Sequence, residues 1–99
     1  MALHPSDLLG LSDRELLLHA GDATHQHYKG GLYRLVGPVR DSRTGGALLD
    51  LDGQPMIAYM HCYPHGRMMW VRGEAEFNGH VRVGDEYIRR FRPIQRGGD

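Results

Sequence analysis

Met56-Ile57-Ala58-Tyr59-Met60-His61-Cys62-Tyr63, Pro64-His65-Gly66-Arg67 and Met68-Met69-Trp70-Val71-Arg72 follow one another without a break. The first segment is the longest β candidate in the chain, the second carries the Pro and Gly of a turn, and the third is the next strand. Working outward, Leu32-Tyr33-Arg34-Leu35-Val36 is another aromatic and β-branched run, set between Gly30-Gly31 and Gly37-Pro38. Pro38 cannot donate to a ladder, so Val39-Arg40-Asp41-Ser42 continues this strand only after a bend or bulge. Arg43-Thr44-Gly45-Gly46 reads as a turn, Ala47 to Asp52 alternates weakly, and Asp52-Gly53 is a tight-turn pair. Downstream, Asn78-Gly79 turns the chain ahead of His80-Val81-Arg82-Val83. Gly84-Asp85-Glu86 breaks it again, and Tyr87-Ile88-Arg89-Arg90-Phe91 is a last short strand or a tail laid across the others. Short strands at close spacing with glycine turns predict a mainly β fold, a small barrel of about five to six strands.

The N-terminal residues differ. Ser12-Asp13-Arg14-Glu15 spells a capping box, Leu16-Leu17-Leu18 follows, and Gly21 stands where a helix would stop. Ser6-Asp7-Leu8-Leu9 adds a further helical turn. A helix of about two turns does not persist alone in water. Its leucines are therefore expected to pack on the main domain, a partner-docking arm being the alternative. The organisation that follows is a helical extension over 1–22, a β domain over 23–94 and a flexible tail over 95–99.

Composition bounds the function. Ninety-nine residues make one small domain, and 12 basic residues balance 12 acidic ones, so no global field draws the protein to nucleic acid or a membrane. Seven histidines add positive charge below about pH 6.5. The single Cys62 excludes an internal disulfide framework and fits a reducing compartment. Met1-Ala2-Leu3-His4-Pro5-Ser6-Asp7 has no basic signal-peptide start, and no stretch approaches the ~20 apolar residues of a membrane span. A cytoplasmic protein, monomeric or weakly dimeric, is expected.

The ordered set His27-Tyr28-Lys29-Gly30 with Tyr33, Val36-Gly37, Ser42 and Thr44, Tyr59 with Tyr63, Trp70-Val71-Arg72, Phe77 and Arg90-Phe91 resembles DUF1653, a bacterial family of unknown function. The resemblance covers about residues 25–91 and implies an SH3-like β-barrel, in agreement with the strand reading. It supplies no activity, so no catalytic residue is carried over. The chain departs from the family pattern in three places. Asp41-Ser42-Arg43-Thr44 stands where the pattern tends to His-Ser-Glu-Thr, Gly73 replaces the Pro after Trp-Val-Arg, and the connection from Gly45 to Gln54 is longer.

Candidate sites are weighed on chemistry. Lys29 is the only lysine beside eleven arginines, and a compact ammonium does work that a guanidinium does not. His27, Tyr28, Lys29 and Gly30 with Ser42, Arg43, Thr44 and Arg72 form the expected ligand-binding set. It would present phenol, ammonium and hydroxyl donors beside glycines that let a ligand approach the backbone. That predicts a non-enzymatic binding module for a peptide or small anionic ligand. The nucleic-acid alternative uses Arg82, Arg89, Arg90 and Arg92 near Tyr87 and Phe91. A metal-dependent enzyme is the second alternative, with His25, His27, His61, Cys62 and His65 as the available donors. Adjacent His61 and Cys62 point to opposite faces of a strand, and no metal-binding spacing is present, so neither a metal nor a cofactor is expected. Cys62, Ser42 and Thr44 are poor nucleophile candidates, because a lone strand cysteine packs as a small hydrophobe and turn hydroxyls bond backbone. Tyr59 and Tyr63 share strand parity and are expected on one face; Trp70 and Tyr33 are expected in the core, and Tyr28 exposed.

Overall fold

Ser12 Oγ accepts from Glu15 N and the Glu15 carboxylate accepts from Ser12 N, so the capping box closes as expected and starts α1 (Asp13–His19). A 3-10 turn over Pro5–Leu8 precedes it. The computed structural model describes residues 3–97. The strands follow as β1 (His25–His27), β2 (Leu32–Pro38), β3 (Met56–Tyr63) and β4 (Met68–Gly73). Then come α2 (Glu74–Phe77), β5 (His80–Val83), β6 (Glu86–Arg89) and β7 (Phe91–Pro93). The protein is mainly β, as expected. Its short α2 lies inside the β domain read over 23–94, between the strands expected at Met68–Arg72 and His80–Val83.

Pairing is antiparallel throughout, in a five-stranded sheet of order β4-β3-β2-β1-β7 and a separate β5–β6 hairpin. The ladder does not close into the expected barrel. Closure would require β4 to meet β7, but the chain leaves β4 directly into α2, and β5 and β6 satisfy one another. β1 and β7 have only three residues each, too short to carry a closing seam. The stretch from Tyr87 to Phe91 is accordingly two strands, split at Arg90.

Each face of the sheet has its own core. On one, Leu8, Leu16, Ala20 and Ala23 pack with Leu32, Cys62 and Ile94, so Leu8 and Leu16 are seated within the chain while Leu9 and Leu18 stay exposed. On the other, Ile57, Tyr59, Phe77 and Phe91 pack with Tyr33 and Leu35, and the Phe77 and Phe91 rings stack 4.2 Å apart. The register of β2 on β3 shifts between Leu32 and Tyr33, where Tyr63 and His61 are the partners. This shift carries Tyr63 to the face of Leu16 and Leu32, while Tyr59 stays on the face of Phe77. The two tyrosines do not share a face; a bulge breaks the strand parity.

Trp70 is a second correction: it is 50% exposed, because β4 is an edge strand. At the C-terminus, Gln95 N donates to Asp13 Oδ2 and Arg96 Nη2 donates to Gly21 O and Ala23 O. Residues 98–99 of the expected tail lie outside the described residues. No helix among the described residues is long and apolar enough to cross a membrane.

Candidate functional site

β1 and β2 are joined by a turn in which His27 N donates to Gly31 O and Gly30 N donates to His27 O, both at 2.8 Å. Gly30 sits at φ +115°, and a Cβ there would lie 1.9 Å from the carbonyl oxygen of Pro5. Only glycine lets the N-terminal segment cross the turn this closely. Gln26, buried in the middle of β1, donates its Nε2 to Leu8 O and Gly30 O and accepts from Arg92 Nη2 at 3.0 Å. Three polar groups are thus spent on holding the turn against the extension and β7. Sequence reasoning missed Gln26; its one signal was a polar residue at the core-facing position between His25 and His27.

This clamp places His27. Its Nδ1 accepts from Lys29 N at 3.1 Å, so the neutral ring carries its proton on Nε2. The ring lies 4.5 Å from Tyr28 and meets Phe91 edge-on at 4.9 Å. Its pKa is pushed down to about 4, first by burial and then by Arg72, Arg90 and Lys29. Every charged group that acts on this imidazole is a cation. Lys29 is exposed, with its Nζ 5.7 Å from the Tyr28 ring centroid, within cation–π reach.

Arg72 comes from β4, where it pairs across the ladder with Ile57 and so shares the face of Tyr59 and Trp70. Its Nε donates to Tyr59 Oη at 3.2 Å and its Nη1 pairs with Glu76 on α2. Arg90, half-buried between β6 and β7, takes the Tyr28 N–H on its carbonyl and donates its own N–H to Gly79. Its buried Nε is the one buried side-chain polar atom among the described residues with no hydrogen-bond partner. Tyr33, Tyr59, Trp70 and Arg72 line a cleft of about 200 Å³. A second cleft of about 340 Å³ continues past Tyr33 and Trp70 toward His61 and Met68. Burial raises the Tyr33 phenol's pKa, reinforced by Tyr59 and opposed by Arg72, so the phenol is a proton donor at neutral pH.

The structure therefore brings together His27, Tyr28, Lys29, Gly30 and Arg72 of the expected set, and adds Arg90, Tyr33 and Tyr59. It does not bring Ser42, Arg43 and Thr44 to them. Those three are exposed beyond the far end of β2, whose seven residues span roughly 20 Å. There Arg43 pairs with Asp41 at 3.0 Å and Thr44 Oγ1 accepts from Gly46 N, so the loop satisfies itself.

The arginines of the nucleic-acid alternative are brought together in part. Arg82 and Arg89 share one face of the β5–β6 hairpin with His80 and Tyr87, by their pairing across the ladder. Arg89 and Arg92 line one cleft of about 490 Å³ with His80, Tyr87, His27 and Tyr28, and Arg92 also pairs with Asp13 at 2.8 Å. The charge of Arg90 helps to lower the His27 pKa. Cys62 is buried on the face of Leu16, away from the stacked His61 and His65 rings, and burial raises its thiol pKa. No group of three or more His, Cys, Asp or Glu side chains among the described residues is placed to hold a metal ion.

Comparison with protein families finds a match over residues 23–93 to the family described as "Protein of unknown function (DUF1653)". Comparison with curated proteins and with solved structures finds no match.

Proposed function

The chain belongs to the DUF1653 family, whose match runs from before β1 to the end of β7, and on that premise we propose that it is a non-enzymatic binding module for a small anionic group. The group would sit in the cleft of Tyr33, Tyr59, Trp70 and Arg72. One observation carries this reading: the half-buried Arg72 guanidinium, with its Nε on Tyr59 Oη, lines that cleft beside the Tyr33 and Tyr59 phenols and the Trp70 indole. Glu76 pairs with its Nη1 from α2. A guanidinium beside two phenols offers an anion charge-assisted, directional donors, and the lowered pKa of His27 under burial, Arg72, Arg90 and Lys29 points to the same excess of positive charge nearby. The non-enzymatic part is supported by His27 itself. Its acceptor nitrogen is spent on the Lys29 amide, which leaves a donor where a general base would need a lone pair. The buried reduced Cys62 is in keeping with a cytoplasmic setting.

The test is a titration with inorganic phosphate followed by NMR. Saturable shifts at the Trp70 indole and the Arg72 Nε–H are expected, together with a rise of the His27 pKa from about 4 as the cationic field is neutralised. Arg72→Gln should weaken binding on the order of tenfold. Shifts that grow linearly, and identically in Arg72→Gln, would overturn the reading.

A second reading has its own observation, the exposed hairpin face of His80, Arg82, Tyr87 and Arg89. It predicts salt-sensitive binding of a single-stranded oligouridylate that weakens when Arg82 and Arg89 are both changed to Gln. Retention curves that do not respond to salt would remove it.

A further inference from the structure

β4 is an open edge of the five-stranded sheet. Met68, Met69, Trp70 and Val71 are 57%, 53%, 50% and 49% exposed, so both faces of this strand show large apolar side chains. Natural edges are blunted by lysine, proline, a bulge or a covering loop. This one has none of these over four residues, and its register against β3 is unbroken from Met68 to Gly73. Among the described residues, no backbone group of Met68–Arg72 bonds to anything but β3. The other edge of the sheet, β7, ends in Arg92-Pro93 and is blunted.

Met68, Trp70 and Arg72 pair with His61, Tyr59 and Ile57, so these three side chains stand on one face at a spacing of about 7 Å. The two clefts lie between them. One is bounded by Trp70 and Arg72 with Tyr33 and Tyr59; the other by Met68 and Trp70 with His61 and His65. A strand laid along the edge projects alternate side chains on that face at the same period. We propose that β4 is completed by an extended acidic segment of a partner protein. Such a segment adds as a sixth strand, sets a carboxylate beside Arg72 and places an apolar side chain, two residues away, beside Met68 and His61.

Charge selects this occupant. The cleft at Arg72 is lined by a guanidinium, two phenols and an indole; Nη1 of that guanidinium is held by Glu76 and Nε by Tyr59, which leaves Nη2 for the incoming carboxylate. A second copy of the chain, paired antiparallel with Trp70 opposite Trp70, would bring its own Met68 to Arg72, a thioether where an anion is wanted. The inference rests on the anion-binding reading of the same cleft and names what delivers the anion.

The test is selection of octapeptides from a random display library on the immobilised full chain. The enriched peptides are then measured in solution by Trp70 fluorescence. The expected winners carry Asp or Glu two positions from an apolar residue. Changing that acid to its amide, or Arg72→Gln in the protein, should weaken binding on the order of tenfold. N-methylation of alternate peptide amides should abolish it, since backbone pairing supplies the register. The chemically modified peptides keep the result independent of how Arg72→Gln folds. No enrichment, binding that survives N-methylation, or sedimentation as a dimer whose formation shields Trp70 would each overturn the proposal. Phosphate titration of the same sample separates the two readings. Saturable phosphate binding without peptide selection leaves the anion site standing and removes the strand addition. Peptide binding indifferent to Arg72 removes both.

Discussion

Two glycine-bearing turns flank β2, and they are built on opposite principles. The His27–Gly31 turn is crossed by the N-terminal segment, held by buried Gln26 and surrounded by cations it does not neutralise. The Asp41–Gly46 loop stands in solvent and closes on itself. Asp41 takes the Arg43 guanidinium and its N–H, Thr44 takes the Gly46 N–H, and Arg40 bonds Gly45 O. The first has polar capacity left over and the second has spent it. Residue types alone do not reveal that difference, because both segments mix a cation, a hydroxyl or phenol and paired glycines. What separates them is where β2 sends its two ends.

The contrast is broken or kept most decisively by the glycines. Gly30→Ala drives a methyl group into the Pro5 carbonyl at 1.9 Å from a φ of +115°. It should cost about 3–5 kcal/mol, or prevent folding outright. Gly45 also has positive φ, +77°, but a Cβ there meets nothing within 4 Å. Gly45→Ala should cost only about 1 kcal/mol, from backbone strain alone. Urea unfolding of the pair measures both. Equal losses would mean that the N-terminal segment does not press on the first turn.

Acid sharpens the same difference. The unfolded His27 imidazole protonates near 6.5, while the folded one does so only at about 4 under burial and the fields of Arg72, Arg90 and Lys29. Between those values the unfolded chain binds the extra proton, so stability should fall as pH is lowered from 6.5 toward 4. Discounted for the solvent that reaches a half-buried ring, the loss is about 1–2 kcal/mol. His25 and His61 are pulled the same way by burial and add to it. Asp13 and Asp22, held low by Arg92 and Arg67, surrender their contribution only at still lower pH. Unfolding midpoints taken across this window should show a shallower slope in His27→Gln. An unchanged slope would place the pH sensitivity elsewhere.

Local rules made much of this fold legible. The capping box of α1, the β-branched and aromatic run of β2, and the two segments of β3 and β4 around Pro64-His65-Gly66-Arg67 all follow from neighbours in the chain. The unread parts are long-range. Trp70 sits in an apolar run that would suit a central strand, and only the passage of the chain into α2 makes β4 an edge. Tyr63 keeps the parity of Tyr59 on paper, and a register shift against β2 undoes it. At the site, His27, Tyr28 and Lys29 were readable because they are contiguous. Arg90 was read as part of a C-terminal basic stripe, since the fold alone decides that its guanidinium acts on His27.

The smallest expected effect tests the loop that was read as part of the site. Arg43 is engaged by Asp41 through both Nε and Nη2, at 3.2 and 3.0 Å, yet the arginine itself is exposed and only Asp41 is partly buried. A solvated pair two residues apart gains little over its hydrated separated ions, and salt screens what it gains. Arg43→Gln should therefore leave the urea midpoint within the error of the measurement. Asp41 would still cap the backbone N–H of residue 43, which the substitution does not remove. The same variant should bind phosphate as the parent does, whereas Arg72→Gln should not. If Arg43→Gln instead weakens phosphate binding, the anion sits at the loop, because phosphate cannot span the roughly 20 Å that separates Arg43 from the Arg72 cleft.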